Sequence, residues 1–220
     1  MSASPLSTIE IGSTREEADL TIILMHGLGA DGHDLADVAE ILSKSALPRN
    51  WRFVLPHAES IPVTINNGIP IPAWYDIISL THPREVDWNT VHHGQAQIEA
   101  LMIQESANPI LLAGFSQGAA MALHVGLRNQ SKVTGILMMS GYLLESSEHP
   151  APTPEQSPPI AIFHGQDDDV VPLEAAETTL SILKSTGYKP SYKTYPGLPH
   201  SVSKEEVQDV FNWLIELAPK

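Results

Sequence analysis

One serine, one histidine and a run of aspartates stand at a spacing that suits acyl transfer. Ser116 lies in Gly114-Phe115-Ser116-Gln117-Gly118, a G-x-S-x-G pattern. Asp167, Asp168 and Asp169 follow in His164-Gly165-Gln166-Asp167-Asp168-Asp169-Val170-Val171-Pro172, and His200 ends Pro196-Gly197-Leu198-Pro199-His200. A serine hydroxyl is a weak nucleophile until a base removes its proton, and that base needs an orienting carboxylate. The order serine, acid, histidine is the one used on nucleophile-elbow sheets, with each residue at the C-terminal end of a strand. Neighbouring carboxylates repel, so one aspartate is expected against the imidazole while the others stay in water. Spacing alone does not choose among the three.

Acyl transfer also needs donors for the oxyanion. One backbone N–H is expected from Gln117, directly after the nucleophile. The second is expected from Leu28, in the glycine-rich turn His26-Gly27-Leu28-Gly29-Ala30-Asp31-Gly32 that ends an apolar run. As a phosphate loop that turn fails, because it lacks the P-loop lysine and the G-x-G-x-x-G spacing. No metal is expected. His92 and His93 are adjacent and point apart along a helix, and no third ligand recurs at a helpful spacing. Asp167–Asp169 lacks the alternating ligands of a calcium loop. The chemistry calls for no cofactor.

These residues need rigid elements to hold them. The apolar run 110–113 reads as a strand buried on both faces, with the helix formers of 119–123 directly after the serine. Gly114 and Gly118 permit the sharp bend between them, since neither carries a Cβ that would collide. Further buried strands are expected at 20–25, 53–55, 135–139, 160–163 and 192–195, with an edge strand at 8–11. Helical periodicity places Leu35, Val38, Ile41 and Leu42 on one face, and Val91, Ile98, Leu101 and Met102 on another. Leu173, Ala176, Leu180 and Leu183 form a helix that stops at Gly187. Ser203-Lys204-Glu205-Glu206 fits a capping box opening a last helix with core face Val207, Val210, Phe211 and Leu214. Strands alternating with helices predict an α/β fold, a mainly parallel sheet with helices on both faces. The Ser- and Pro-rich stretch 145–159 is too short to divide domains, so one domain over 1–220 is expected.

Composition narrows the function. The chain has 220 residues, 42% of them hydrophobic, enough for one large core. It has no cysteine, which removes disulfides, thiolate-bound metals and a cysteine nucleophile, and is compatible with a reducing compartment. A formal net charge of −14 repels phosphate backbones and anionic lipid surfaces, so nucleic-acid binding is not expected. The start MSASPLSTIEIG has no basic or apolar signal character, and no stretch reaches a membrane span; a cytoplasmic protein is expected.

Residues 57–75 (HAESIPVTINNGIPIPAWY) are too apolar for a plain connector. Asn66-Asn67-Gly68 suits a three-residue hairpin loop with Gly68 left-handed, pairing Ile65 with Ile69, Val63 with Ile71 and Ile61 with Ala73. Pro62, Pro70 and Pro72 remove ladder donors and make the hairpin a weakly paired edge element. It is either an arm packed on the core or a flap over the serine that receives an acyl chain.

HGLGADG, PAWYD (72–76), GFSQG, HG-x-D-D-D-V-V-P and the terminal G-L-P-H together resemble the carboxylesterase/acyl-protein thioesterase branch of the α/β-hydrolases, the phospholipase/carboxylesterase family. The likeness runs from about residue 20 to 217. It implies Ser116 as nucleophile, His200 as base, Leu28 and Gln117 as oxyanion donors, and Asp168 as the acid, four residues before the proline of D-x-x-V-P. It favours the flap, with Ile65, Ile71 and Trp74 on the substrate side. Ala119 stands where similar proteins have glycine, and 104–109 is short. The expected activity is hydrolysis of carboxylic esters or thioesters on a small-molecule ester or an acylated substrate. Long-chain acyl-protein or lysophospholipid hydrolysis is the alternative, and a non-catalytic binding protein the remote one. An apolar flap leaves peripheral membrane contact and a homodimer open.

Overall fold

The computed structural model describes residues 6–46, 49–81, 84–156 and 158–217; positions 1–5 of the N-terminal stretch and Ser157 of the 145–159 loop lie outside them. In chain order come β1 (Thr8–Gly12), β2 (Leu20–Met25), α1 (Ala36–Ser45) and β3 (Trp51–Pro56). Two small hairpins follow, β4 (Ser60–Pro62) with β5 (Pro70–Pro72), and β6 (Ile77–Ser79) with β7 (Glu85–Val86). Next are α2 (Trp88–Gln104), β8 (Ile110–Phe115), α3 (Gln117–Arg128) and β9 (Gly135–Met139). The chain ends with β10 (Ile160–Gly165), α4 (Leu173–Ser185), β11 (Ser191–Tyr195) and α5 (Lys204–Leu217).

Runs without polar alternation must be covered on both faces, and every residue of β2, β3, β9 and β10 is buried. They form the centre of a seven-stranded sheet of order β1-β3-β2-β8-β9-β10-β11. Among the described residues of this sheet, only the pairing of β1 with β3 is antiparallel. Helices cover both faces. Buried residues of α2, α3 and α4 join one core, and those of α1 and α5 the other. Every residue of α3 except the last is buried, which suits the central position of the helix that carries the nucleophile turn.

Three expectations change at the level of elements. The 57–75 hairpin pairs Ile61 with Ile71, not with Ala73, and its ladder spans only 60–62 with 70–72. Thr64 causes the slip: the Asp76 carboxylate accepts from its backbone N–H and from its hydroxyl, both at 2.7 Å, and starts a 3-10 turn over Thr64–Asn66. Ile65 lies in that turn instead of pairing with Ile69, and Val63 is buried without facing Ile71. Gly68 is left-handed as expected, but so is Asn67, at φ 56°. In α1, Ile41 is 51% exposed although it shares the helical period of Leu42. It lies on the rim of a groove against Val207 and Phe211 of α5, so the apolar stripe is wider than the face the sheet covers. In α5 the capping box is half made: Ser203 Oγ accepts from the Glu206 N–H at 3.0 Å, while the Glu206 carboxyl turns inward and Trp213 joins the buried face.

Candidate active site

The elbow at Ser116 follows from the lack of two side chains. A Cβ on Gly114 would sit 2.3 Å from the carbonyl carbon of Gly118, and one on Gly118 would sit 2.3 Å from the Met25 carbonyl oxygen. Glycine at both positions lets β8 turn directly into α3 while α3 crosses the end of β2. Ser116 takes the bend at φ 55° and ψ −119°, a conformation that costs a non-glycine residue roughly 1–3 kcal/mol. Its N–H donates to the Met139 carbonyl at 3.0 Å, fixing the turn to the end of β9.

Ends of three parallel strands converge on that hydroxyl. His200 follows β11, and its Nε2 lies 2.9 Å from Ser116 Oγ. Its Nδ1 lies 2.7 Å from Asp168 Oδ2, beyond the end of β10. Asp168 is buried while Asp167 and Asp169 are exposed, so burial makes the choice that spacing leaves open. Asp168 Oδ1 accepts from the N–H groups of Val170 and Val171 at 3.0 and 2.8 Å. Burial pushes this carboxyl up, but the bonds from His200 and from the two backbone N–H groups outweigh it and hold it below the usual carboxylate range. It is therefore ionised at neutral pH and favours Nδ1–H on His200. The Phe115 ring packs on the imidazole with centroids 4.6 Å apart. Under the pair lies His164, fully buried, whose Nε2 lies 2.8 Å from the Val171 carbonyl and steadies the acid loop. Burial lowers its pKa and keeps it neutral.

The turn after β2 passes close to Ser116: a Cβ on Gly27 would lie 3.3 Å from Ser116 Cβ, tighter than ordinary contact. Leu28 follows, packed against the core, and Gly29 donates its N–H to Pro72 O at 2.8 Å. Gln117 is the first residue of α3, where unpaired N–H groups and the helix dipole favour negative charge. The two expected oxyanion donors thus come from turns packed on either side of Ser116.

The residues read as substrate-side lie in different surroundings. Trp74 is 2% exposed, with its indole N–H donating to His26 O at 2.8 Å, and faces the turn after β2 instead of open space. Ile71 is partly buried beside the same turn, its Cδ1 3.8 Å from where a Gly29 Cβ would be. Ile65 packs on the core. A cavity of about 250 Å³ lies past the acid loop, lined by Arg84, Tyr142, Leu143, Thr179 and Ile182 among others. Arg84 donates to the Val170 carbonyl at 2.7 Å and lies over the Tyr142 ring. The lining joins Arg84 and the segment after β9 to Thr179 and Ile182, one helical turn apart on α4, so no single stretch of sequence announces it. Asp31, His33 and His57 bring donor atoms within 4.8 Å of one another. Asp31 Oδ1 is 2.9 Å from His33 Nδ1, and His57 Nδ1 accepts from the Gly32 N–H. His92 and His93 point apart, His93 to Glu59 and His92 to the His149 ring.

A parallel sheet with a serine elbow, and acid and histidine on the loops after later strands, is the α/β-hydrolase arrangement. Residues 6–217 match the phospholipase/carboxylesterase family, and the chain belongs to that family of ester- and thioester-cleaving hydrolases. It is 36% identical over 214 residues to acyl-protein thioesterase 1 of Neurospora crassa, covering 91% of this chain and 87% of that one. The Cryptococcus neoformans protein of the same name is 32% identical, with 93% and 94% covered. Among solved structures, Zea mays acyl-protein thioesterase 2 superposes with a TM-score of 0.84 at 26% identity, covering 97% of this chain and 99% of that one. Arabidopsis thaliana SOBER1 gives 0.83 at 30%, covering 91% and 99%.

Proposed function

We propose that the chain is an acyl-protein thioesterase, a single catalytic domain in which Ser116, His200 and Asp168 cleave the acyl bond of a lipidated protein. The observation that carries the reading is His200 lying between Ser116 Oγ at 2.9 Å and Asp168 Oδ2 at 2.7 Å. His200 Nε2 takes the Ser116 proton as Oγ attacks the carbonyl carbon. The Leu28 and Gln117 N–H groups hold the oxyanion, and His200 returns the proton to the leaving thiol or alcohol. Asp168 stabilises the imidazolium between these transfers. Water, deprotonated by His200, then attacks the acyl-enzyme, and His200 returns that proton to Ser116 Oγ as its bond to the acyl carbon breaks and the acid leaves. The names of the relatives support a protein-borne acyl group over a small ester or a lysophospholipid.

The test pairs a label with a substrate panel. A fluorophosphonate probe is expected to label the protein at Ser116, and Ser116→Ala to lower kcat on a p-nitrophenyl ester by roughly 10⁴- to 10⁶-fold. An unlabelled protein or near-normal turnover by the variant overturns the mechanism. Faster turnover of a palmitoylated peptide than of p-nitrophenyl butyrate or a lysophospholipid supports the substrate class, and the reverse order overturns it.

The cysteine-free composition suits a reducing, cytoplasmic setting. No helix among the described residues is long and apolar enough to cross a membrane. Peripheral contact with a bilayer or pairing with a second copy is read from exposed Ile69, Ile78 and Leu80, near the two hairpins. Vesicle flotation and sedimentation velocity test the two.

A further inference from the structure

The two oxyanion donors belong to different turns, and a hydrogen-bonded bracket of side chains spans them. Gln117 is 1% exposed, and its amide is used at both ends. Oε1 accepts from the Trp74 N–H at 2.9 Å, and Nε2 donates to the Tyr75 carbonyl at 2.7 Å. The Trp74 indole donates to His26 O at 2.8 Å, and Pro72 O accepts from the Gly29 N–H at 2.8 Å. Both grips fall on the turn that carries Leu28, one on each side of it. His26 completes the connection: its Nε2 accepts from the Ala58 N–H at 3.1 Å, and its Nδ1 lies 2.7 Å from Gly27 O. The base of the hairpin, residues 72–75, thus lies between α3 and the β2 turn and is bonded to each.

We propose that the Gln117 side chain is a positioning group for the oxyanion hole, setting the separation of the Leu28 and Gln117 N–H groups through the hairpin base. Gln117 then acts twice, its backbone on the substrate oxygen and its amide on the other donor's support. Residues 72–75 are a fixed wall of the site, and any motion of the hairpin is confined to its tip. The proposal rests on the serine mechanism above.

Gln117→Met fills the same space without the amide and leaves the backbone N–H in place. A displacement of about 1 Å in such a site costs on the order of 10²-fold in rate. Gln117→Met is therefore expected to lower kcat on p-nitrophenyl butyrate by about that factor with KM little changed. The Ki of an alkyl trifluoromethyl ketone, whose adduct with Ser116 carries the oxyanion, is expected to rise in proportion to the fall in kcat/KM. Trp74→Phe, which keeps a ring but loses the indole N–H, should give a smaller loss, and the double variant less than the product of the two. If Gln117→Met retains wild-type kcat and Ki, the proposal is overturned. A fall in kcat with an unchanged Ki overturns it too. Should Gln117→Met fail to fold, Gln117→Leu, which also lacks the amide, decides by the same two measurements. Failure of the serine mechanism is distinguishable, because the wild-type protein would then resist the fluorophosphonate.

Discussion

Asp168 differs from Asp167 and Asp169 in surroundings, not in chemistry. It is withdrawn from water, bonded by two backbone N–H groups and faces His200, whereas its neighbours are exposed. Asp168→Asn presents an amide to Nδ1 and favours the wrong imidazole tautomer, so kcat should fall by about 10⁴-fold. Asp167→Asn and Asp169→Asn should stay within about twofold, since exposed charges away from the site act weakly. Steady-state rates of the three variants on one p-nitrophenyl ester check this. Of the candidate site, Ser116, His200 and the two turns beside Ser116 were legible in the sequence, because each rests on a local pattern. Spacing left the acid as a trio, because burial depends on how the loop after β10 folds back, and only the family resemblance pointed to Asp168.

At the scale of elements, the first turn of α5 holds an uncommon group. Glu206 is fully buried, and neither carboxyl oxygen has a hydrogen-bond partner. Burial, reinforced by the charges of Asp209 and Asp168, raises its pKa from 4.5 to about 8. Tyr195, whose pKa is pushed up by burial and by its bond to Asp209, also feels its charge. The unfolded chain releases this proton near 4.5 and the folded one near 8. Folding stability therefore falls as pH rises through that interval and levels off above it. Glu206→Gln keeps the shape and removes the proton. The variant should match wild type at about pH 4 and exceed it increasingly up to about pH 8, as urea midpoints across the range would show. The sequence pattern predicted a capping box here. It missed the burial because the same Glu can reach back to the cap or turn inward, and packing of α5 on the sheet decides which.

Across the whole molecule, one buried ion network joins distant parts of the chain. Arg52 of β3 bonds Glu105, just past α2, at 3.0 Å and Glu10 of β1 at 2.8 Å, while Arg15 also bonds Glu105. Burial pushes the Glu105 carboxyl up, and the two guanidiniums more than offset this and hold it low. Glu105→Ala leaves the Arg52 charge buried with only the half-exposed Glu10, and should cost about 3–5 kcal/mol. Arg52→Met combined with Glu105→Leu should recover much of that loss, both read from urea unfolding. Nothing in the sequence announces this network, since its members lie far apart and each looks like an ordinary surface charge.

By itself the sequence determined the alternation of strands and helices, because apolar runs that lack polar alternation must be covered on both faces. It also determined the elbow, because only glycine fits where α3 meets β8 and β2. The tertiary structure alone decided the hairpin register and the bracket from Gln117 through Trp74 to His26. Those depend on backbone carbonyls and on water exclusion, which are the same for every residue type until the chain has folded around them.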